Sequence, residues 1–152
     1  MKYYFAYGSN LNIRQMSLRC PTAWPVGTAI LKGWRLVYKG SLTGAYLTIE
    51  RCRNSYVPLG VWAVSDSDER ALDRYEGYPR FYFKKAFQLP VIGMDGEDLG
   101  KKTGLIYIMN PQRTYALPSM PYIRTCQEGY KDFGFKRKIL DEALLATRRK
   151  TK

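Results

Sequence analysis

The chain has 152 residues, is 45% hydrophobic and carries 25 lysines and arginines against 13 acids, for a net charge of +12. That length and apolar content suit one globular domain, residues 1–152, and exclude a disordered chain. The sequence contains no histidine, which excludes serine–histidine and cysteine–histidine nucleophile pairs and histidine-ligated metal centres.

Taken in order, Lys2 to Tyr7 is a short aromatic run that reads as a first strand, stopped by Gly8, Ser9 and Asn10. Asparagine and serine side chains fold back onto local amides, and a strand ending in such a turn points successive N–H groups one way, a geometry that binds anions. Ser9 to Cys20 reads as a loop holding at most a turn of helix. Strands follow at Ala29 to Lys39, bent at Gly33, at Ala45 to Glu50, and at Tyr56 to Val64, where Gly60 suggests a bulge.

The period then changes. Ser65 to Glu69 is rich in capping oxygens and in acids that suit a helix N-terminus, and Ala71, Leu72 and Tyr75 recur at helical spacing. Gly77 and Pro79 end this helix at Glu76. Phe81 to Val91 and Thr103 to Met109 return to strand, and Asn110 to Pro121 is irregular. Helices close the chain at Tyr122 to Phe133 and Lys136 to Lys150. Strands first and helices last predict an α+β domain on a curled, mostly antiparallel sheet.

Without histidine, proton transfer near neutral pH falls to a carboxylate raised in pKa, a lysine lowered in pKa, a tyrosine or a cysteine. Glu76 has the right setting. The last turn of a helix carries partial negative charge, and Tyr75, Tyr78, Phe81 and Tyr82 flank it, so both the dipole and burial would push its pKa up. The three cysteines, Cys20, Cys52 and Cys126, are widely spaced and form no Cys-x-x-Cys pair, so they read as structural thiols of a reducing cytosol. No apolar run reaches the roughly 18 residues of a membrane helix, and no signal pattern opens the chain, which reads as cytoplasmic.

Tyr7-Gly8-Ser9-Asn10 after the first strand, Glu76-Gly77 after a short helix, and the downstream Pro118-Ser119-Met120-Pro121-Tyr122 resemble the γ-glutamylcyclotransferase superfamily, from Tyr3 to about Phe135. The resemblance implies a small, mostly antiparallel or mixed β-barrel with flanking helices and a pocket at its open end. It implies Glu76 as the single catalytic residue, acting as general base and then acid. It places Tyr7, Gly8, Ser9, Asn10, Tyr82 and Tyr122 against the substrate, a γ-glutamyl amine or γ-glutamyl amino acid that cyclises to 5-oxoproline. The loop would hold either the α-carboxylate or the developing oxyanion. No cofactor and no metal are called for, and the protein would be a monomer or homodimer. Arg14, Arg80 and Arg124 are candidate carboxylate clamps by charge geometry, but nothing in the sequence selects among them, and they stay outside the expected site.

Two other readings compete. The same fold could bind a small acid without turnover. The +12 charge could instead mark a nucleic-acid-binding domain. Its basic pairs (Lys84-Lys85, Lys101-Lys102, Lys136 to Lys138, Arg148 to Lys150) are scattered, however, and favour a solvated surface and no nucleic acid.

Overall fold

The computed structural model describes residues 1–41 and 44–151; positions 42, 43 and 152 of the expected domain lie outside the described residues. The strands are β1 (Lys2–Ala6), β2 (Trp24–Ser41), β3 (Gly44–Val64), β4 (Tyr82–Gly93), β5 (Asp98–Met109) and β6 (Thr114–Tyr115). The helices are α1 (Ile13–Arg19), α2 (Asp66–Glu76), α3 (Met120–Phe133) and α4 (Arg137–Lys150), and a 3₁₀ turn spans Ser9–Leu11.

The strands close into a barrel in the order β3-β1-β5-β4-β2, with β2 returning to β3 and β6 extending the far end of β2. One pairing is parallel, β1 on β5 at Tyr3 with Gly104 and Tyr4 with Leu105; the others are antiparallel. β1 is paired on both edges, and of its aromatic run Tyr4, Phe5 and Tyr7 are buried while Tyr3 is half-buried.

The two separate strands expected at Ala45 to Glu50 and Tyr56 to Val64 are one strand, β3. In the polar stretch Arg51 to Ser55, Arg51 pairs with Trp34, residues 52–55 pass without partners through the irregularity at Lys32/Trp34, where Asn54 turns to a positive φ of 65°, and pairing resumes at Tyr56 with Lys32. Pairing with the 18-residue β2 on both sides of this stretch makes one strand of the two segments. Gly60 is not a bulge. It pairs in register with both Ala6 and Thr28, and the irregularities fall at Pro25/Gly27 and Lys32/Trp34. A Cβ on Gly60 would lie 2.4 Å from Leu11 and 2.8 Å from Phe133, so the glycine lets the 3₁₀ turn and α3 sit close to the sheet.

Three details anchor α2. A capping box joins Ser65 and Asp68, Leu72 is buried, and Lys84 of β4 reaches Glu69 at 2.8 Å and Asp73 at 3.0 Å. Tyr107 of β5 also donates to Asp73 at 2.6 Å. Gly77 adopts the left-handed conformation, φ 65°, that stops α2 at Glu76. Cys20 and Cys126 are buried thiols that burial pushes up to about 11 and about 12, in keeping with packing roles.

Candidate functional site

Tyr7 leaves β1 and donates its hydroxyl to the Tyr107 carbonyl at 2.7 Å, pinning the start of the turn to β5. The 3₁₀ turn uses the amides of Leu11 and Asn12, which donate to Gly8 and Ser9. The amides of Gly8, Ser9 and Asn10 take no part in it. Asn12 then caps α1 through the Gln15 amide and donates to the Thr125 carbonyl of α3 at 3.1 Å. Leu11 is fully buried, so both ends of the turn are fixed.

This turn and the end of α2 meet in a cavity of about 240 Å³. All seven residues expected at the site line it: Tyr7, Gly8, Ser9, Asn10, Glu76, Tyr82 and Tyr122. Asn10 donates from Nδ2 to Glu76 Oε1 at 3.3 Å and to the Tyr4 hydroxyl at 2.9 Å. Ser9 Oγ lies 3.1 Å from the Tyr75 hydroxyl. Two segments 66 residues apart in sequence are therefore joined by side-chain hydrogen bonds.

Burial among the aromatic rings pushes the Glu76 carboxyl from 4.5 up to about 8, against a downward pull from Arg19. The direction expected from sequence holds, and burial is its main cause. The same burial, with the charge of Glu76 added, holds the hydroxyls of Tyr4 and Tyr7 well above the ordinary phenol range, so both stay protonated donors.

Hydroxyl hydrogens sort the tyrosines. Tyr7 spends its hydrogen on the Tyr107 carbonyl, Tyr107 on Asp73, and Tyr82 on the Leu47 carbonyl at 2.8 Å. Tyr122 instead accepts from the Leu47 amide at 3.0 Å, which leaves its own hydrogen to give. Tyr82 is thus a wall of the cavity and Tyr122 an available donor.

Of the three arginines weighed as clamps, none lines the cavity. Arg14 pairs with Glu128 at 3.4 Å, Arg80 is exposed, and Arg124 borders a separate surface hollow on α3. The cation that reaches the site is Arg19, the last residue of α1. It donates to the Asn10 side-chain carbonyl, and its guanidinium lies 3.5 Å from the centre of the Tyr75 ring. Sequence reading missed it, along with Tyr4, Tyr46 and Tyr107, and named Tyr75 only as an aromatic neighbour of Glu76. The one available signal was an arginine nine residues after Asn10, at the end of a segment read as loop.

Comparison with known proteins agrees with this architecture. The family described as gamma-glutamyl cyclotransferase, AIG2-like, matches residues 4–124. A solved gamma-glutamyl cyclotransferase superposes with a TM-score of 0.75 at 26% identity, over 93% of this chain and 85% of that one. The human uncharacterized protein loc79017 gives the same TM-score and coverages at 27% identity. YkqA from Bacillus subtilis shares the fold at 18% identity, with a TM-score of 0.75 over 97% of this chain and 54% of that one. No curated protein sequence gives a significant match. With a closed mixed barrel, four helices and a family match over most of its length, the chain belongs to the gamma-glutamyl cyclotransferase, AIG2-like family.

Proposed function

We propose that the protein is a γ-glutamyl cyclotransferase that converts a γ-glutamyl amine or γ-glutamyl amino acid to 5-oxoproline and the free amine. The observation that carries this reading is the Glu76 carboxyl, raised to about 8 and facing the 7–10 turn across one cavity. A carboxyl with that proton affinity can both take and return a proton near neutral pH. The name of the solved neighbour supports the reaction class.

In this reading Glu76 removes a proton from the substrate α-ammonium. The freed nitrogen attacks the γ-carbonyl carbon of the same molecule and forms the ring C–N bond. The leaving nitrogen takes the proton from Glu76, the oxyanion collapses and the old C–N bond breaks; the surplus proton of the ring nitrogen then passes through Glu76 to the departing amine, which leaves as an ammonium. Nucleophile and electrophile share one molecule, so the protein needs only to hold the chain bent and keep water away from the γ-carbonyl. The amides of Gly8 and Ser9, with the Ser9 and Tyr122 hydroxyls, hold the substrate's anionic oxygens. Tyr82 closes the wall behind them.

The test is a panel of γ-glutamyl amines and γ-glutamyl amino acids incubated with the purified protein. 5-Oxoproline and glutamate are then separated by mass. The reading expects 5-oxoproline from at least one substrate, with glutamate a minor product. Glutamate as the main product would make the protein a hydrolase. Binding of 5-oxoproline without turnover of any substrate would make it a non-catalytic acid binder.

A further inference from the structure

Arg19 touches both halves of the site. It stacks on Tyr75 and donates to Asn10 Oδ1. Tyr75 in turn meets Ser9, and Asn10 meets Glu76. An asparagine amide has one acceptor end and one donor end. With Oδ1 taken by a guanidinium that can only donate, Nδ2 must face Tyr4 and Glu76. We propose that Arg19 is the positioning residue of this site: it fixes the Asn10 amide so that an N–H is committed to Glu76 Oε1, leaving Oε2 as the oxygen that takes and returns the proton.

The contacts support that assignment. Among the described residues no donor reaches Oε2. Tyr4 and Glu76 Oε1 share the Asn10 nitrogen at 2.9 Å and 3.3 Å, so the two oxygens lie at most 6.2 Å apart. The other groups around Glu76 carry no competing charge. Tyr4 and Tyr7 from β1 and its following turn, Tyr82 from β4 and Tyr107 from β5 are neutral hydroxyls held so by burial. Tyr75 lies under Arg19. Asp73, one turn back on α2, is matched by Lys84 at 3.0 Å and by Tyr107. If Arg19 is lost, the Asn10 amide can reverse and present Oδ1 to Glu76. The carboxyl would then hold its proton in a hydrogen bond to that oxygen, and its titration would move up.

The assignment rests on Glu76 as the proton carrier, but its test needs no turnover. Protein labelled with carbon-13 at the glutamate carboxyls is titrated by NMR, and the Glu76 signal is identified by its loss in Glu76→Gln. A protein that makes no 5-oxoproline but shows the effects below would overturn the reaction and keep the Arg19 assignment. Arg19→Met is expected to raise the midpoint above its value of about 8 by about one pH unit or more. Arg19→Lys should restore most of the difference. In an Asn10→Ala background Arg19→Met should produce less than about half of that rise, because the amide that transmits it is gone. A midpoint unchanged in Arg19→Met, or a rise equally large without Asn10, would overturn the assignment. Should Arg19→Met fail to fold, Arg19→Gln and Arg19→Leu replace it: both drop the charge that itself lowers the Glu76 midpoint, and only glutamine keeps an N–H for Asn10. A midpoint lower in Arg19→Gln than in Arg19→Leu by about half a pH unit or more supports the fixed amide, and equal rises assign the effect to charge alone.

Discussion

Replacing Glu76 by glutamine should make the protein more stable at alkaline pH. The folded carboxyl titrates near 8 and the unfolded one near 4.5. Its contribution to stability is therefore complete below about pH 4.5, falls as pH rises, and is lost once pH passes about 8. At about 1.4 kcal/mol per tenfold change in proton affinity, the whole interval is worth ~5 kcal/mol. Between about pH 5 and pH 9 roughly three of those pH units are crossed, so ~4 kcal/mol is the expected effect. Glutamine is nearly isosteric and does not titrate. The assay is urea unfolding of both proteins at several values between about pH 5 and pH 9. The difference in unfolding free energy, Glu76→Gln minus wild type, should grow by ~4 kcal/mol across that range with unchanged m-values. Every other titrating group cancels in the difference. Parallel stability curves would show that Glu76 titrates as an ordinary carboxylate, and the argument for a tuned base would fall.

Gly129→Ala should be costly, because the added Cβ would lie 2.6 Å from the Asn12 amide nitrogen and 2.7 Å from the Leu11 carbonyl carbon. Backbone cannot yield as a side chain would, so a loss of ~1–3 kcal/mol is expected in chemical unfolding, with reduced turnover as the 3₁₀ turn shifts. Tyr82→Phe leaves the buried Leu47 carbonyl without its donor and should cost ~1–3 kcal/mol in the same assay. Ser65→Ala removes the side-chain acceptor of the Asp68 amide at the start of α2, a loss of ~1 kcal/mol readable as a lower thermal midpoint.

Much of the site was legible because its residues sit where local rules are strong. The run from Tyr3 to Tyr7 ends at a turn that only small polar residues make easily, and Ser65, Asp68 and Gly77 mark both ends of α2 by capping alone. Long-range pairing was the hidden part. Barrel closure depends on β1 lying parallel to β5, some hundred residues away, and nothing in the sequence near Tyr3 or Gly104 announces it. The length of β3 was hidden for the same reason, since β2 pairs with it on both sides of the polar residues 52–55 and so joins two segments into one strand. Arg19 was hidden by geometry. Its charge is no different from that of Arg14 or Arg80, and only the direction in which α1 ends brings it over Tyr75.

The most direct test of the central claim is 5-oxoproline formation followed against pH with the best γ-glutamyl substrate, in wild type and Glu76→Gln. The account predicts that kcat/KM for the wild type climbs with pH and levels off near 8, where the Glu76 carboxyl has lost its proton. Glu76→Gln should fall by about 10²–10⁴-fold at the plateau, the usual contribution of a general base. A profile flat through the acid limb, or a glutamine variant within a few-fold of wild type, would contradict the assignment of Glu76 as the proton-transfer group.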